Sequence, residues 1–304
     1  MTKQGTLAGM LAILMWSLSV ALFRSISEIL GPEATGAAVY TLSAVFIFLA
    51  RRELGMKGES KRYLIVCGGL FIFYMAAFAL AIGFSNNHQQ TLEIGLINYL
   101  WPSLTLCLAI PIHKQQARWW LVPGIICSLV GVVHVVSGGQ GLDIASMSHN
   151  IIANPLPYGL AFGAALCWAL YSNLTRLWCR NRGALAFFLL LTSIVMWLQA
   201  FWVGGVGTLT WKAAFELLLL SGTCALAYSC WDLAMQKGNL TLVAALSYFT
   251  PLLSILVAAL WLGVSPGISM FEGCVLVVLG SLLCWSSTRS PRSGPRALSW
   301  QEES

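Results

Sequence analysis

Charge is scarce in this sequence: Asp, Glu, Lys and Arg together make up 9% of its 304 residues, while 58% are hydrophobic. A soluble domain carries roughly a quarter charged residues, so a water-exposed globular fold is excluded. The spacings that mark common hydrolytic sites are missing too. There is no HExxH, no GxSxG and no carboxylate pair at helical spacing, which removes the frames for a zinc hydrolase, a serine hydrolase or two-carboxylate acid–base chemistry. The nine cysteines, at 67, 107, 127, 167, 179, 224, 230, 274 and 284, form no CxxC pair, and none falls in a segment expected outside the cell. Neither disulfides nor a metal site nor a cofactor is therefore expected, and the cysteines read as small apolar packing residues.

What is present is a series of apolar runs near the roughly 20 residues that a bilayer-crossing helix needs. Ten candidate spans fall at about 7–23, 34–50, 63–84, 92–112, 119–136, 156–174, 184–206, 213–235, 240–262 and 268–286. Runs of this length indicate helices and not a barrel. The first has no small-residue cleavage pattern and matches the sixth, so it stays in the mature chain.

The chain also contains one unit twice. Trp16 with Arg24 recurs as Trp168 with Arg176, Tyr99 with Pro102 as Tyr248 with Pro251, and Gly124 with Gly131 as Gly273 with Gly280, at shifts of 152, 149 and 149 residues. That period is too long for a solenoid, so each half is a whole bundle. Placing the amino terminus inside leaves only Arg24 and Lys212 outside and fifteen other cations inside, a bias that puts both termini in the cytoplasm. Five spans is an odd number, so the second half is inserted upside down. The expected fold is an all-α integral membrane protein of ten transmembrane helices, two inverted five-helix repeats around a central cavity. Residues 5–137 form the first repeat, 138–154 an extracytoplasmic linker, 155–288 the second repeat and 289–304 a disordered cytoplasmic tail. The net charge of +6 follows from this topology and from anionic lipid at the inner surface, with no nucleic-acid partner.

The fourth and ninth spans carry the sharpest local signals. Pro102 removes the hydrogen bond to the carbonyl of Asn98, and Pro251 does the same for Ser247, so kinks are expected there, facing the bundle interior. Gln90, Asn98, Trp101 and Thr105 share one helical face, with Tyr99 in a neighbouring sector. Tyr74 and Phe78 lie four apart on the third span, and Tyr228, Trp231, Asp232 and Met235 form a stripe on the eighth. Trp16 sits near mid-depth on the first span, and Trp168 and Tyr171 lie together on the sixth. Tyr and Trp at mid-depth need partners for their polar ends, which a wet cavity supplies. Of the few acids in the spans, Glu93 and Asp232 are the candidates for meeting a substrate ammonium or carrying a proton; Glu216 and Glu272 lie at outer ends, and His134 is a packing residue. Gly124, Ser128 and Gly131 on the fifth span, with Gly273 and Gly280 on the tenth, predict close helix packing.

The stretch from His88 to Thr105, HQQTLEIGLINYLWPSLT, with SYFTP at 247–251, resembles the YddG-type, aromatic amino acid exporter branch of the drug/metabolite transporter superfamily, and the two halves resemble paired EamA domains. The likeness covers nearly the whole chain. It implies a basket of ten helices in the bacterial inner membrane that exports aromatic amino acids through a central cavity. It assigns substrate contacts to Tyr74, His88, Glu93, Asn98, Tyr99, Trp101, Trp168, Tyr228, Trp231 and Tyr248. Two positions depart from the branch's pattern: Gln89 stands where a second histidine is expected, and Asp232 where an uncharged amide is expected. Joined with Phe78, Asp232 and Ser247 from the residue reading, these form the candidate substrate site of an alternating-access exporter of neutral or aromatic amino acids. In it Tyr99, Trp101 and Trp231 enclose the side chain, Asn98 and Ser247 hold the ammonium, and Glu93 or His88 acts at the outer mouth. The runner-up is a drug or metabolite exporter of broad range; a channel or a membrane-embedded enzyme ranks lower.

Overall fold

The computed structural model describes residues 2–141, 143–203, 207–262 and 267–289, and these are almost wholly helical. In chain order the helices are α1 (Lys3–Leu30), α2 (Pro32–Arg51), α3 (Gly68–Gly83, entered through a π turn at Tyr63–Cys67), α4 (His88–Asn98), α5 (Trp101–His113), α6 (Leu121–Val136) and α7 (Ile144–Ala153). They continue as α8 (Pro155–Trp178), α9 (Leu185–Val203), α10 (Trp211–Lys237), α11 (Leu240–Leu246), α12 (Phe249–Leu262) and α13 (Ile268–Ser287). A two-residue ladder pairs β1 (Gln116–Ala117) with β2 (Thr288–Arg289).

The starts of several helices are written in the local sequence. Thr2, Asn87, Asp143, Thr210 and Asn239 each accept the N–H three residues on, opening α1, α4, α7, α10 and α11. Pro32 and Pro155 take the first position of α2 and α8, where no N–H is needed. Gly31 alone joins α1 to α2 at φ 85°, a value that a side chain resists.

Six stretches are long and apolar enough to cross a bilayer by themselves: Pro32–Arg51, Tyr63–Gly83, Gln89–His113, Leu185–Trp202, Trp211–Lys237 and Ile268–Ser287. The pair α11 and α12 makes another across a 41° bend, α8 another after a 104° corner with α7, and α6 and the 28-residue α1 complete ten. Most spans run beyond the bounds expected from hydropathy, α1 by several residues at both ends. Within the expected linker 138–154, α7 is a helix that turns sharply into α8. Of the expected tail, residue 289 pairs with Gln116, and 290–304 lie outside the described residues.

The principal helix pairings are preserved when each span is exchanged with the one five further on. The first span packs on the eighth (α1 on α10) and the third on the sixth (α3 on α8), which exchange into each other. The second packs on the seventh (α2 on α9), the fourth on the ninth (α5 on α11) and the fifth on the tenth (α6 on α13), each pair mapping onto itself. The small-residue stripes of α6 and α13 meet in one shared seam. A methyl built on Gly280 would lie 2.5 Å from the Ser128 nitrogen, and one on Gly131 2.8 Å from the Gly273 carbonyl, so only glycine permits this approach.

The described ends of the chain, at Thr2 and Arg289, lie on one face. There the Thr2 N–H donates to the Lys237 carbonyl at 2.7 Å, and the Glu59 carboxylate accepts backbone N–H groups of Arg180, Asn181 and Gly183 at 2.8, 2.9 and 3.2 Å. This carboxylate ties the segment after α2 to the segment between α8 and α9. On the opposite face the Gly207 N–H reaches the Leu30 carbonyl at 3.3 Å, and Asn154 donates to the Phe84 carbonyl at 3.0 Å.

The expected bend is present ahead of Pro251, as the 41° angle between α11 and α12, and both prolines follow a break instead of lying mid-helix. Each helix breaks ahead of its proline, at Tyr99–Leu100 and at Ser247–Tyr248, and Pro102 and Pro251 sit in the first turn of the helix that follows. The Ser247 carbonyl that Pro251 leaves without its usual donor accepts instead from the Thr250 N–H at 3.0 Å, a tightened turn that satisfies it. A further proline, Pro111, lies inside α5.

Candidate functional site

Aromatic rings from α1, α3, α5, α8 and α10 converge between the two halves. Trp16 lies 5.1 Å from Trp231 and 5.6 Å from Tyr228, centroid to centroid. Trp101 meets Trp231 edge-on at 5.4 Å, and Tyr74 lies 4.7 Å from Trp168. Trp168 stacks on Trp231 at 6.0 Å, and Phe71 and Tyr171 close the cluster at 5.2 Å from each other. Edge-to-face and offset pairs of this kind contribute about 0.5–1.5 kcal/mol each beyond the area they bury. The Trp231 indole donates to the Ser172 hydroxyl at 3.2 Å.

Other polar atoms here have no partner. The Trp16 indole nitrogen, the Asn98 side-chain oxygen and one oxygen of Asp232 are buried without a hydrogen bond among the described residues. Such atoms are rare in native structures because each forfeits its water without compensation. Asn98 is 7% exposed, the Tyr74 hydroxyl lies beside it, and Gln90, Trp101 and Thr105 of the same face are buried as well. A wall of rings with an unsatisfied donor and an unsatisfied acceptor can take a ligand that has a flat apolar body, an ammonium and a carboxylate.

Towards the face opposite the termini, Glu93 is 1% exposed and fully coordinated. It accepts from the Tyr158 hydroxyl at 2.5 Å, from the Asn150 amide at 3.2 Å on both oxygens, and from the Gln89 amide at 3.1 Å. Beside it a cavity of about 320 Å³ opens between α4, the end of α6 and the start of α7, lined by Gln89, Glu93, Gln140 and Ser146. Asn150 lies on α7, so Glu93 holds that helix over the mouth.

The candidate residues thus separate into several neighbourhoods. Tyr74, Trp101, Trp168, Tyr228 and Trp231 meet in the ring cluster; Phe78 stacks parallel to Tyr74 at 6.4 Å and packs with Ala81, Ile94 and Ala161. Tyr99 and Tyr248 belong to another cluster, with Val132, Val135 and Val277, where the Tyr248 hydroxyl bonds Ser103. Ser247 donates its hydroxyl to the Ala244 carbonyl at 2.6 Å, which uses its proton and leaves its oxygen as an acceptor. Asp232 lies at the terminus-bearing end, 2% exposed, with Tyr171 donating to it at 2.5 Å. The side chain of His88 lies outside the described residues. Of the other acids, Glu216 accepts from Ser25 at 2.8 Å and lies 3.7 Å from Lys212, and Glu272 bonds His134 at 2.7 Å across the seam.

Among the rings absent from the candidate set, Trp16 had a signal, being the repeat partner of Trp168, and Tyr171 lies one turn from Trp168. Phe71 stands one turn before Tyr74, yet an isolated phenylalanine in an apolar span carries no mark that separates it from lipid-facing neighbours. All nine cysteines are free, and no cluster of metal-binding side chains occurs among the described residues.

Comparison with known proteins gives a consistent result. The EamA-like transporter family matches residues 156–286. The aromatic amino acid exporter YddG of Escherichia coli (strain K12) is 38% identical over 291 residues, covering 95% of this chain and 99% of that protein. The protein of the same name from Salmonella typhimurium (strain 14028s) is 37% identical, with the same coverage. A solved crystal structure at 25% identity superposes with a TM-score of 0.78, covering 93% of this chain and 96% of the other.

Proposed function

The chain belongs to the EamA-like transporter family, in the branch of the aromatic amino acid exporter YddG, and from that premise we propose that it exports aromatic amino acids from the bacterial cytoplasm across the inner membrane. The ring cluster is the observation that carries the substrate class. Trp16, Tyr74, Trp101, Trp168, Tyr228 and Trp231 come from both halves, so an aromatic side chain held among them lies between the parts that must rock for alternating access. The unpartnered Asn98 oxygen accepts from the substrate ammonium, and the Trp16 indole donates to its carboxylate. In this structure the rings lie against one another, so substrate entry requires them to part. Residues 5–137 and 155–288 act as the two inverted repeats, with both termini in the cytoplasm. Glu93 with α7 then guards the outer mouth.

The test is exchange of labelled phenylalanine, tyrosine and tryptophan in liposomes holding the purified protein, with threonine, alanine and amphipathic cations as competitors. The expected result is saturable exchange of the three aromatic amino acids with weak competition by the others. Efficient competition by the cations would favour a drug exporter of broad range, and flux without saturation or counterflow would indicate a channel.

A further inference from the structure

Asp232 is the buried carboxyl that the substrate reading leaves unused. It lies on the same turn of α10 as Trp231, but on the terminus-bearing side of the rings, 2% exposed. One oxygen accepts from the Tyr171 hydroxyl at 2.5 Å; the other is buried with no hydrogen bond, and no basic side chain pairs with it within 4 Å among the described residues. A carboxylate anion in such a place forfeits its solvation with a single donor in return, whereas a protonated carboxyl leaves only a neutral oxygen unsatisfied. The closed arrangement is thus a place where this carboxyl can hold a proton.

The groups facing it come from every neighbouring element. Tyr171 approaches from α8, Tyr63 and Cys67 from the π turn before α3, Cys179 from the segment before α9, Arg51 from the end of α2, and Glu59 from the segment after it. What separates the carboxyl from the terminus face is Gly183, in positive φ at 76°, whose position leaves its unpartnered oxygen 3.1 Å from where a β-carbon would stand. That glycine is held by the Glu59 carboxylate, which accepts its N–H at 3.2 Å. Were the 179–184 segment to lift away from Glu59, water would reach Asp232, the cost of the anion would fall and the proton could leave to that water.

We propose that Asp232, with Tyr171 as its donor, is a proton-binding site that couples export to proton entry: one proton is taken up from the far side, carried on the closed protein and released at the terminus face. The inference rests on the aromatic-substrate reading for the cargo alone. Trp231 and Asp232 are consecutive, so the residue that feels the substrate ring and the one that holds the proton move as one piece of helix.

The experiment uses the full chain in liposomes preloaded with labelled phenylalanine. Exchange at equal pH on both sides measures cargo recognition, and efflux into a more acid medium, relative to each protein's own exchange, measures coupling. The wild type is expected to accelerate several-fold in the gradient and Asp232→Asn to show no acceleration. Tyr171→Phe is expected to keep the acceleration but to shift its pH dependence to the alkaline side, because the anion loses its one donor. Gradient acceleration undiminished in Asp232→Asn, or absent from the wild type, overturns the inference while exchange, and with it the substrate reading, stands. An Asp232→Asn protein that is inserted but inactive in both assays, beside an unmoved pH profile in Tyr171→Phe, makes the carboxyl structural and also overturns the inference. No exchange of phenylalanine by the wild type overturns the substrate reading, and the coupling proposal falls with it.

Discussion

An unsatisfied polar atom in a buried site leaves two separable marks, one on stability and one on function. The Asn98 oxygen has no partner in the closed arrangement, and leaving such a group unpaired costs about 1–3 kcal/mol. Asn98→Leu is therefore expected to hold or raise the melting temperature in detergent while exchange of phenylalanine falls at least tenfold. A structural asparagine would behave the other way, losing stability first. Trp101 tests the rings: it meets Trp168 at 6.3 Å and Trp231 at 5.4 Å, both nearly edge-on. Trp101→Ala removes about 0.5–1.5 kcal/mol of ring contact beyond area burial, which at about 1.4 kcal/mol per tenfold weakens apparent affinity for phenylalanine and tryptophan several-fold. Alanine and threonine should be affected less, at equal protein in the membrane, and a uniform loss would assign Trp101 to helix support. The tryptophans of the ring cluster carried different marks in the sequence: repeat position singled out Trp168, and helical spacing Trp101 and Trp231. Tyr99, which helical spacing set in a neighbouring sector, and Tyr248, which the resemblance named, each sit at a helix break and pack with Val132, Val135 and Val277.

At the scale of elements, the breaks themselves are testable. Pro251→Ala returns an N–H to the Ser247 carbonyl, and Pro102→Ala does so for Asn98, so each variant can continue the preceding helix through the break. Both are expected to insert normally and transport more slowly, because a continuous helix realigns α5 or α12 against the rings. Unchanged rates in both would make the prolines packing features. The seam between α6 and α13 makes a different demand. A β-carbon on Gly280 would fall 2.6 Å from the Gly124 carbonyl oxygen and 2.5 Å from the Ser128 nitrogen, both backbone atoms that cannot swing aside. Gly280→Val should thus cost at least the about 1–3 kcal/mol of an overpacked core, read as a lower melting temperature and less folded protein in the membrane. Gly69→Val on α3, where nothing lies within 4 Å of the added carbon, is the matched control. This seam was readable from small-residue spacing alone. The helical form of α7 was not, because its ten residues lack the length and apolarity that identify a span, and Asp143, Asn150 and Glu93 position it through polar contacts that no periodicity announces.

For the whole molecule, the principal helix pairings repeat under exchange of the halves, as the internal repeat implied, while the spans themselves were legible as apolar runs. The ties between segments on the terminus-bearing face escaped that reading. Glu59 joins residues over 120 positions away through backbone donors, and a backbone donor has no signature in the sequence. Those same ties reduce topology to one choice. Thr2 with Lys237, Glu59 with Arg180, and Gln116 with Arg289 all lie on one face, so the orientation of the whole chain follows from the side on which any one of them stands. Fifteen of seventeen cations fall on that side or in the tail, and each held near an anionic leaflet contributes about 1 kcal/mol, so the inverted orientation is strongly disfavoured. Cysteines placed at Lys61, in the segment joined to Glu59, and at Ser148, on α7, report the two faces from exposed positions. With the unsubstituted protein as a blank, a membrane-impermeant maleimide added to intact cells should label Ser148→Cys and spare Lys61→Cys until the membrane is opened. Labelling of Lys61→Cys from outside would invert the chain, place Asp232 and the Glu59 tie at the outer surface, and reverse the direction of proton movement inferred above.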